Sequence, residues 1–318
     1  MIGISVGDAN GVGPEILLRA FKSEKLDGAF VAIGDFSVLN YCNNHLKLNA
    51  QLHQLNEIEK FRPGYLNVYD LGILSEKEIS IGQISKKTGN ASIKYVEAGT
   101  HLALQKHISA LVTLPINKEA IRGTLKDFSG HTGYIASLCD TSNYTMMLVS
   151  EKLIVTHVST HVSLKEAIAR VRKTRILDVI RLTDSALEKL GKSKRIAVAG
   201  LNPHAGENNS FGYEDSDEIE PAVKLAKEEG LDVSGPIAAD TVFYSAKKGQ
   251  FDAVVCMYHD QGHIPIKLLD FEAAVNITLG LPIVRTSVDH GTAFDIAYNG
   301  IASIDSFCNA YDLAKKLI

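Results

Sequence analysis

IGISVGDANGVGPEI, residues 2–16, decides which kind of α/β fold this chain can adopt. A short β-branched run leads into a glycine-rich loop, and Pro14 follows at a position suited to the first turn of a helix. Strand, glycine loop and helix in that order invite comparison with the dinucleotide fingerprint GxGxxG. The spacing refuses it. After Gly11 and Gly13 come Pro14, Glu15 and Ile16, so the third glycine is missing, and no GxxxxGK[ST] occurs in the chain. Rossmann and P-loop readings both fail. On its own residues the loop reads as a tight turn from strand to helix.

Beyond residue 16 the same alternation continues. Short apolar runs rich in β-branched residues recur at FVAIG (30–34), NVYD (67–70), SALVTL (109–114), TMMLVS (145–150), LIVTHVS (153–159), RIAVAG (195–200), DAVVCMY (252–258) and VNITLG (275–280). Between them, amphipathic segments predict helices over 14–22, 93–106, 164–171, 175–190, 219–229 and 311–318. Ser163 before Leu164 and Ser216 before the Glu218 turn read as helix starts. Strands separated by helices imply α/β units around largely parallel sheets. At 318 residues, 45% hydrophobic and 22% charged, the chain exceeds what one core usually serves, so two domains with a cleft between them are expected.

A net charge of −4 supplies no basic field for nucleic acid or anionic lipid. No apolar stretch approaches the roughly 20 residues that span a bilayer. The four cysteines stand far apart in mostly apolar settings and form no CxxC pair, as reduced cytoplasmic thiols do. A small-molecule substrate fits this composition, with no nucleic-acid or membrane partner.

Three histidines end apolar strands: His161 in THVSTHVSL, His204 in GLNPHAGE and His259 in MYHDQGH. Such positions line ligand clefts in α/β proteins. One histidine in such a place is more often a hydrogen-bonded structural residue. Three in similar settings suggest a shared divalent metal, since imidazole is the commonest metal ligand and three protein ligands leave an open position. His157 and His263 compete for the role, standing four residues from His161 and His259. Around them lie groups suited to an anion: His131 and Thr132, Lys267, Asn276 and Arg285. Lys267 and Arg285 taken singly would be surface cations. Asp240 in GPIAADT and Asp260 are candidate proton acceptors, though a carboxylate opening a helix is more often a cap.

These blocks together resemble the 4-hydroxythreonine-4-phosphate dehydrogenase family over nearly the whole chain. The resemblance is carried by GDANGVGPEI, PINK (115–118), GHT (130–132), THVSL, GLNPHAGE, GPIAADT, MYHDQGH, NITLGLP and RTSVDHGTAFDIA (285–297). It implies two α/β/α domains like those of isocitrate and isopropylmalate dehydrogenases, placed at 1–125 plus 286–318 on the cofactor side and 126–285 on the metal and substrate side. It implies that His161, His204 and His259 hold a divalent metal (Zn, Mg, Co or Mn), one of them supplied across a homodimer interface. It further implies that His131, Thr132, Lys267, Asn276 and Arg285 contact a phosphorylated substrate and that His290, Gly291, Thr292 and Asp295 hold the adenosine of NAD; in the mechanism that follows from these roles, Asp240 is the candidate catalytic base. The activity implied is oxidative decarboxylation of a four-carbon 4-phosphorylated 3-hydroxy acid, as in pyridoxal phosphate biosynthesis. The first block departs from the usual GDPAGIGPE, and PINK, STHVSL, HAGENN and HDQGHIPIK are closer to the branch acting on 4-phospho-D-threonate or 4-phospho-D-erythronate. A metal-dependent hydrolase or phosphatase, turning over without NAD, and a non-catalytic metabolite-binding protein are the rival classes.

Overall fold

The computed structural model describes residues 1–128, 130–270 and 273–318. Its first elements are β1 (Ile2–Ser5), α1 (Gly13–Lys22), β2 (Phe30–Gly34), α2 (Phe36–His45), β3 (Leu52–Leu55), β4 (Leu66–Asp70), α3 (Lys86–Leu104), β5 (Ala110–Thr113), α4 (Lys118–Arg122) and α5 (His131–Leu138). Then follow β6 (Thr145–Val149), β7 (Ile154–His157), α6 (Leu164–Ala169), α7 (Lys173–Lys189), β8 (Ile196–Ala199), α8 (Glu220–Glu228), β9 (Val233–Ile237), α9 (Ala239–Lys247), β10 (Ala253–Cys256), α10 (His259–Asp270) and β11 (Val275–Leu279). The chain closes with β12 (Val284–Ser287) and α11 (Asp305–Lys316). Two compact units result, one of residues 1–142 and 281–318 and one of residues 143–280.

In the first unit the strand order is β3-β4-β2-β1-β5-β12, and every pairing is parallel. The central strands β1, β2 and β5 are buried along their whole length, so both faces of the sheet are covered, as a parallel sheet requires. Helix α3 packs on β1, β2 and β5, and α11 on β5 and β12. The register sets Ser5 level with Thr113 and Thr113 level with Ser287. Three loops therefore leave the sheet along one carboxyl edge: residues 6–12, 114–117 and the loop beginning at Val288.

The second unit orders its strands β11-β6-β7-β10-β8-β9. Strand β6 runs antiparallel to both neighbours, while β7, β10, β8 and β9 are parallel. Leu148, Val155, Ala197, Val254 and Cys256 form the centre of its core with Val242 and Ile266 from the helices. Each such side chain contributes roughly 1.5–3 kcal/mol by leaving water. Here His157 is level with Cys256, and Val255 with Val198. The loops beginning at Val158, Gly200 and Met257 thus share an edge, and they carry the three candidate metal ligands.

Several helices depart from the sequence expectation. Helix α3 begins at Lys86 rather than near Ile93, because its polar first turns and Gly89 look like loop. A Cβ at Gly89 would come within 2.6 Å of the Ala120 backbone, so the glycine lets α4 approach. Helix α10 was unexpected because it contains Gly262 and Pro265. Strand β12 was hidden by Arg285, a charge in the middle of a buried strand. Ser163 does cap α6, accepting from the Glu166 amide at 3.2 Å. Ser216 does not cap a helix: its hydroxyl donates to the Tyr213 carbonyl inside a π-helical turn.

Candidate functional site

The turn at residues 7–13 is as tight as its glycines suggested. Gly7 has φ +79, and a Cβ there would lie 2.3 Å from the Pro115 oxygen; at Gly13 it would lie 2.2 Å from the Val6 oxygen. Pro14 stands in the first turn of α1, where its missing N–H costs nothing. The Val12 amide donates to Thr292 at 3.0 Å, and the Tyr298 hydroxyl to Ala9 at 2.7 Å. The loop carrying His290, Gly291, Thr292 and Asp295 is thereby laced onto the glycine turn. His290, Gly291 and Asp295 face solvent, and nothing lies within 4 Å of a Cβ built at Gly291.

On the same edge of the first unit lies a corner built for an anion. Arg285 is buried at 1% exposure; its Nη2 donates to the Thr113 hydroxyl at 2.7 Å and its Nη1 to the Thr132 hydroxyl at 3.5 Å. Burial pushes this guanidinium down to about 9, which measures how poorly the site solvates a cation, yet leaves it charged at neutral pH. His131 and Thr132 open α5, where the first amides have no intrahelical acceptor and the helix dipole favours negative charge. His131 is held well below the usual histidine range, first by burial and then by Arg285 and Lys118, and its Nε2 has no hydrogen-bond partner. The Lys118 Nζ approaches to 3.5 Å of a Cβ built at Gly130. A phosphate or carboxylate placed here meets two cations, a hydroxyl and a helix start. In the sequence Lys118 stood out only as the last residue of the PINK block, because nothing local marks it as a ligand.

In the second unit four histidines gather. His161, in the loop after β7, has its ring centroid 5.6 Å from that of His259, the first residue of α10. Both line a pocket of about 460 Å³ with Thr160, Ser163, Tyr258 and Asp260. The Asp260 carboxylate accepts from His259 Nδ1 at 2.7 Å, leaving Nε2 of the neutral ring as a bare nitrogen donor. His263 stacks on His259 with centroids 3.6 Å apart, and His157 lies 4.6 Å from His263. The donor set of His161 and His259 suits a borderline divalent ion.

His204 is placed otherwise. It lies in a loop whose backbone has positive φ from His204 to Asn209, and its ring packs 6.3 Å from Phe211. Among the described residues, no group of three His, Cys, Asp or Glu side chains is gathered closely enough to hold a metal. The His204 loop is nonetheless built with care. Buried Asp215 accepts from the Leu201 amide at 2.8 Å, the Asn202 amide at 3.0 Å and Asn202 Nδ2 at 2.9 Å. Gln261 ties its base to α10, donating to Gly200 O and accepting from Met257 N, both at 2.7 Å. Neither anchor was legible in the sequence, because an Asp and a Gln near polar turns look solvated.

The remaining candidates also lie in this unit. Lys267 is half-buried in the last turn of α10. Asn276 is buried on β11, and its Oδ1 has no hydrogen-bond partner, the kind of acceptor a ligand hydroxyl or ammonium satisfies. Asp240 stands exposed in the first turn of α9, two residues beyond the cap position at Ala238.

The profile of the family described as pyridoxal phosphate biosynthetic protein PdxA matches residues 27–314. The chain belongs to the PdxA family. A D-threonate 4-phosphate dehydrogenase of Cupriavidus necator is 43% identical, the match covering 100% of this chain and 97% of the relative. The protein of that name from Salmonella typhimurium is 41% identical over 99% and 98%. A solved 4-hydroxythreonine-4-phosphate dehydrogenase from Klebsiella pneumoniae superposes with a TM-score of 0.88 at 39% identity, covering 100% and 99% of the two chains. A β-decarboxylating dehydrogenase from Thermococcus kodakarensis matches with a TM-score of 0.51 at 13% identity, a likeness of fold alone. The α/β fold without a Rossmann fingerprint and the family expected from the motifs are therefore both as the sequence implied. This PdxA-family chain shares its fold with dehydrogenases, and no described helix is long and apolar enough to cross a membrane.

Proposed function

We propose that the protein is an NAD-dependent and divalent-metal-dependent dehydrogenase that oxidises and decarboxylates a four-carbon, 4-phosphorylated 3-hydroxy acid, with D-threonate 4-phosphate as substrate. The observation that carries the reading is the buried Arg285, bonded to Thr113 and Thr132 beside the start of α5, a set of donors suited to an anion. The names of relatives above 40% identity over almost the full chain favour the threonate substrate. The family description and the Klebsiella structure favour hydroxythreonine phosphate as the second reading.

When bound, NAD supplies the hydride acceptor and a divalent metal the Lewis acidity that lowers the pKa of the C3 hydroxyl. His161 and His259 would hold the metal, with His204 of the partner subunit completing the set in a homodimer. The apolar residues Ile264 and Leu268 on α10, 63% and 84% exposed, support such a partner. His290, Gly291, Thr292 and Asp295 would hold the cofactor, the Asp295 carboxylate offering acceptors to ribose hydroxyls. Asp240 takes the hydroxyl proton as the alcohol becomes a ketone. The β-keto carboxylate then leaves as CO₂, and the carbon it vacates takes up a proton, giving a three-carbon ketone phosphate. Arg285, Thr132, His131 and Lys267 bind the phosphate throughout and the carboxylate until it departs, while Asn276 accepts a hydrogen bond from the substituent at C2. Unbridged thiols, three of the four buried, and the absence of a basic field accord with a cytoplasmic enzyme of small metabolites.

NADH formation by the purified protein tests this directly, with D-threonate 4-phosphate and 4-hydroxythreonine 4-phosphate compared after chelation and after metal is restored. Metal-dependent NADH with threonate phosphate in excess is the expected result. Preference for hydroxythreonine phosphate would move the substrate to the second reading. Phosphate release without NAD, or binding of both compounds without NADH, would overturn the dehydrogenase in favour of a hydrolase or a metabolite-binding protein.

A further inference from the structure

His157 ends β7 and is fully buried, while the two histidines of the pocket are not. Its Nδ1 lies 3.3 Å from the Met146 carbonyl oxygen and its Nε2 lies 3.1 Å from Nδ1 of His263. A carbonyl oxygen only accepts, so His157 donates through Nδ1 and its neutral ring keeps a bare lone pair at Nε2. Burial, followed by the neighbouring imidazoles, pulls its pKa down to about 3 and keeps it in that form. His263 must then be the donor through Nδ1, which also lies 3.0 Å from the carbonyl oxygen of His259, one turn earlier. The proton order along the row is thereby determined by two backbone oxygens, those of Met146 and His259.

The row ends on His259. The ring of His263 lies flat on it, centroids 3.6 Å apart and planes inclined by 10°. Residues four apart on a helix face one another, yet that spacing alone does not bring two rings into parallel contact. The bond from His157 supplies the constraint. Space for it comes from Gly262, where a Cβ would lie 2.5 Å from His157 Nε2 and 2.9 Å from Cys256 Sγ. Asp260 holds the other nitrogen of His259, so that imidazole is fixed both in tautomer and in plane.

We propose that His157, acting through His263, is a positioning residue that holds the His259 ring in the plane from which Nε2 binds the divalent metal. The inference rests on the reading of His161 and His259 as metal ligands given above. Groups that orient a metal-binding imidazole typically change affinity by 10- to 100-fold when removed, and a change of that size is expected here.

Co²⁺ titrated into the metal-stripped full-length protein, followed by calorimetry and by the visible absorption of the ion, provides the test. His157→Leu removes the acceptor at Nε2 and should weaken Co²⁺ binding roughly 10- to 100-fold with a changed spectrum. His157→Gln places an amide oxygen where it accepts the same proton, and should recover most of the affinity. Gly262→Ala leaves His157 in the chain but displaces it, and should weaken binding as well. If His157→Leu proves too unstable to purify, the contrast between His157→Gln and Gly262→Ala decides. Parental Co²⁺ affinity and spectrum in the variants, with only the melting temperature lowered, would make His157 a core residue and overturn the inference. Absence of Co²⁺ binding in the unsubstituted protein would overturn the metal reading itself, and is visible before any variant is made.

Discussion

Replacing Asp215 by Asn should release the His204 loop at a cost that can be worked out bond by bond. Oδ1 of Asp215 accepts from the Leu201 amide, and Oδ2 accepts from both the amide and the side-chain nitrogen of Asn202. The asparagine can keep its oxygen toward Asn202, but its NH₂ then faces the Leu201 N–H, donor against donor. The orphaned amide costs about 1–3 kcal/mol, and the two retained bonds each weaken once the acceptor is neutral, for a total of about 2–4 kcal/mol. The loop has little to offset this, since its residues from His204 to Asn209 already hold positive φ. Urea denaturation followed by circular dichroism should show a lower midpoint with an unchanged slope. Hydrogen exchange should quicken at Leu201 and Asn202, and divalent-metal affinity should fall with the loss of a fixed His204. A stability change below about 0.5 kcal/mol, or protection at these amides equal to that of the parent, would refute the claim that Asp215 anchors the loop.

Two further outcomes follow from the first unit. Arg285→Lys keeps the charge but cannot bond Thr113 and Thr132 together, so KM for the phosphorylated substrate should rise roughly 10- to 100-fold, read from initial rates, with a smaller effect on kcat; an unchanged KM would remove Arg285 from the substrate site. His131 is held well below its unfolded pKa, so between the two values the unfolded chain binds a proton that the native chain does not. Stability is therefore fully present above the unfolded value near 6.5 and is lost as pH falls below it, by at most about 1.4 kcal/mol per pH unit for this group. Melting temperatures of His131→Asn should fall less steeply than those of the parent between about pH 6 and 4.5; parallel curves would show that His131 titrates normally.

The element order was legible wherever a run of β-branched residues was long enough to be read without context, and that covers most of the strands. Legibility ended where a residue type works against its element. Arg285 in β12, Gly262 and Pro265 in α10, and Gly89 in α3 are each poor local choices that packing or ligand binding overrides. The candidate site divided in the same way. His161 and His259 were legible as histidines at strand ends, and the structure brings them together. His157 and His263 were legible only as competitors, since nothing local distinguishes a ligand from the residue that orients it. Asp215 and Gln261 carried no signal, because their partners lie several residues or a strand away.

The sequence by itself determined the alternation of strands and helices, the exclusion of a Rossmann loop through the residue at position 16, and the family, since these depend on periodicity and on motifs contiguous in the chain. Only the tertiary structure decided which side chains meet. The register that sets Ser5, Thr113 and Ser287 on one line, and His157 beside Cys256 on another, comes from hydrogen bonds between strands distant in sequence. Burial then sorted the histidines: the one farthest from water, His157, became a neutral acceptor, while His161 and His259 line the pocket. Desolvation acts on a side chain through all of its neighbours at once, and no stretch of sequence contains them.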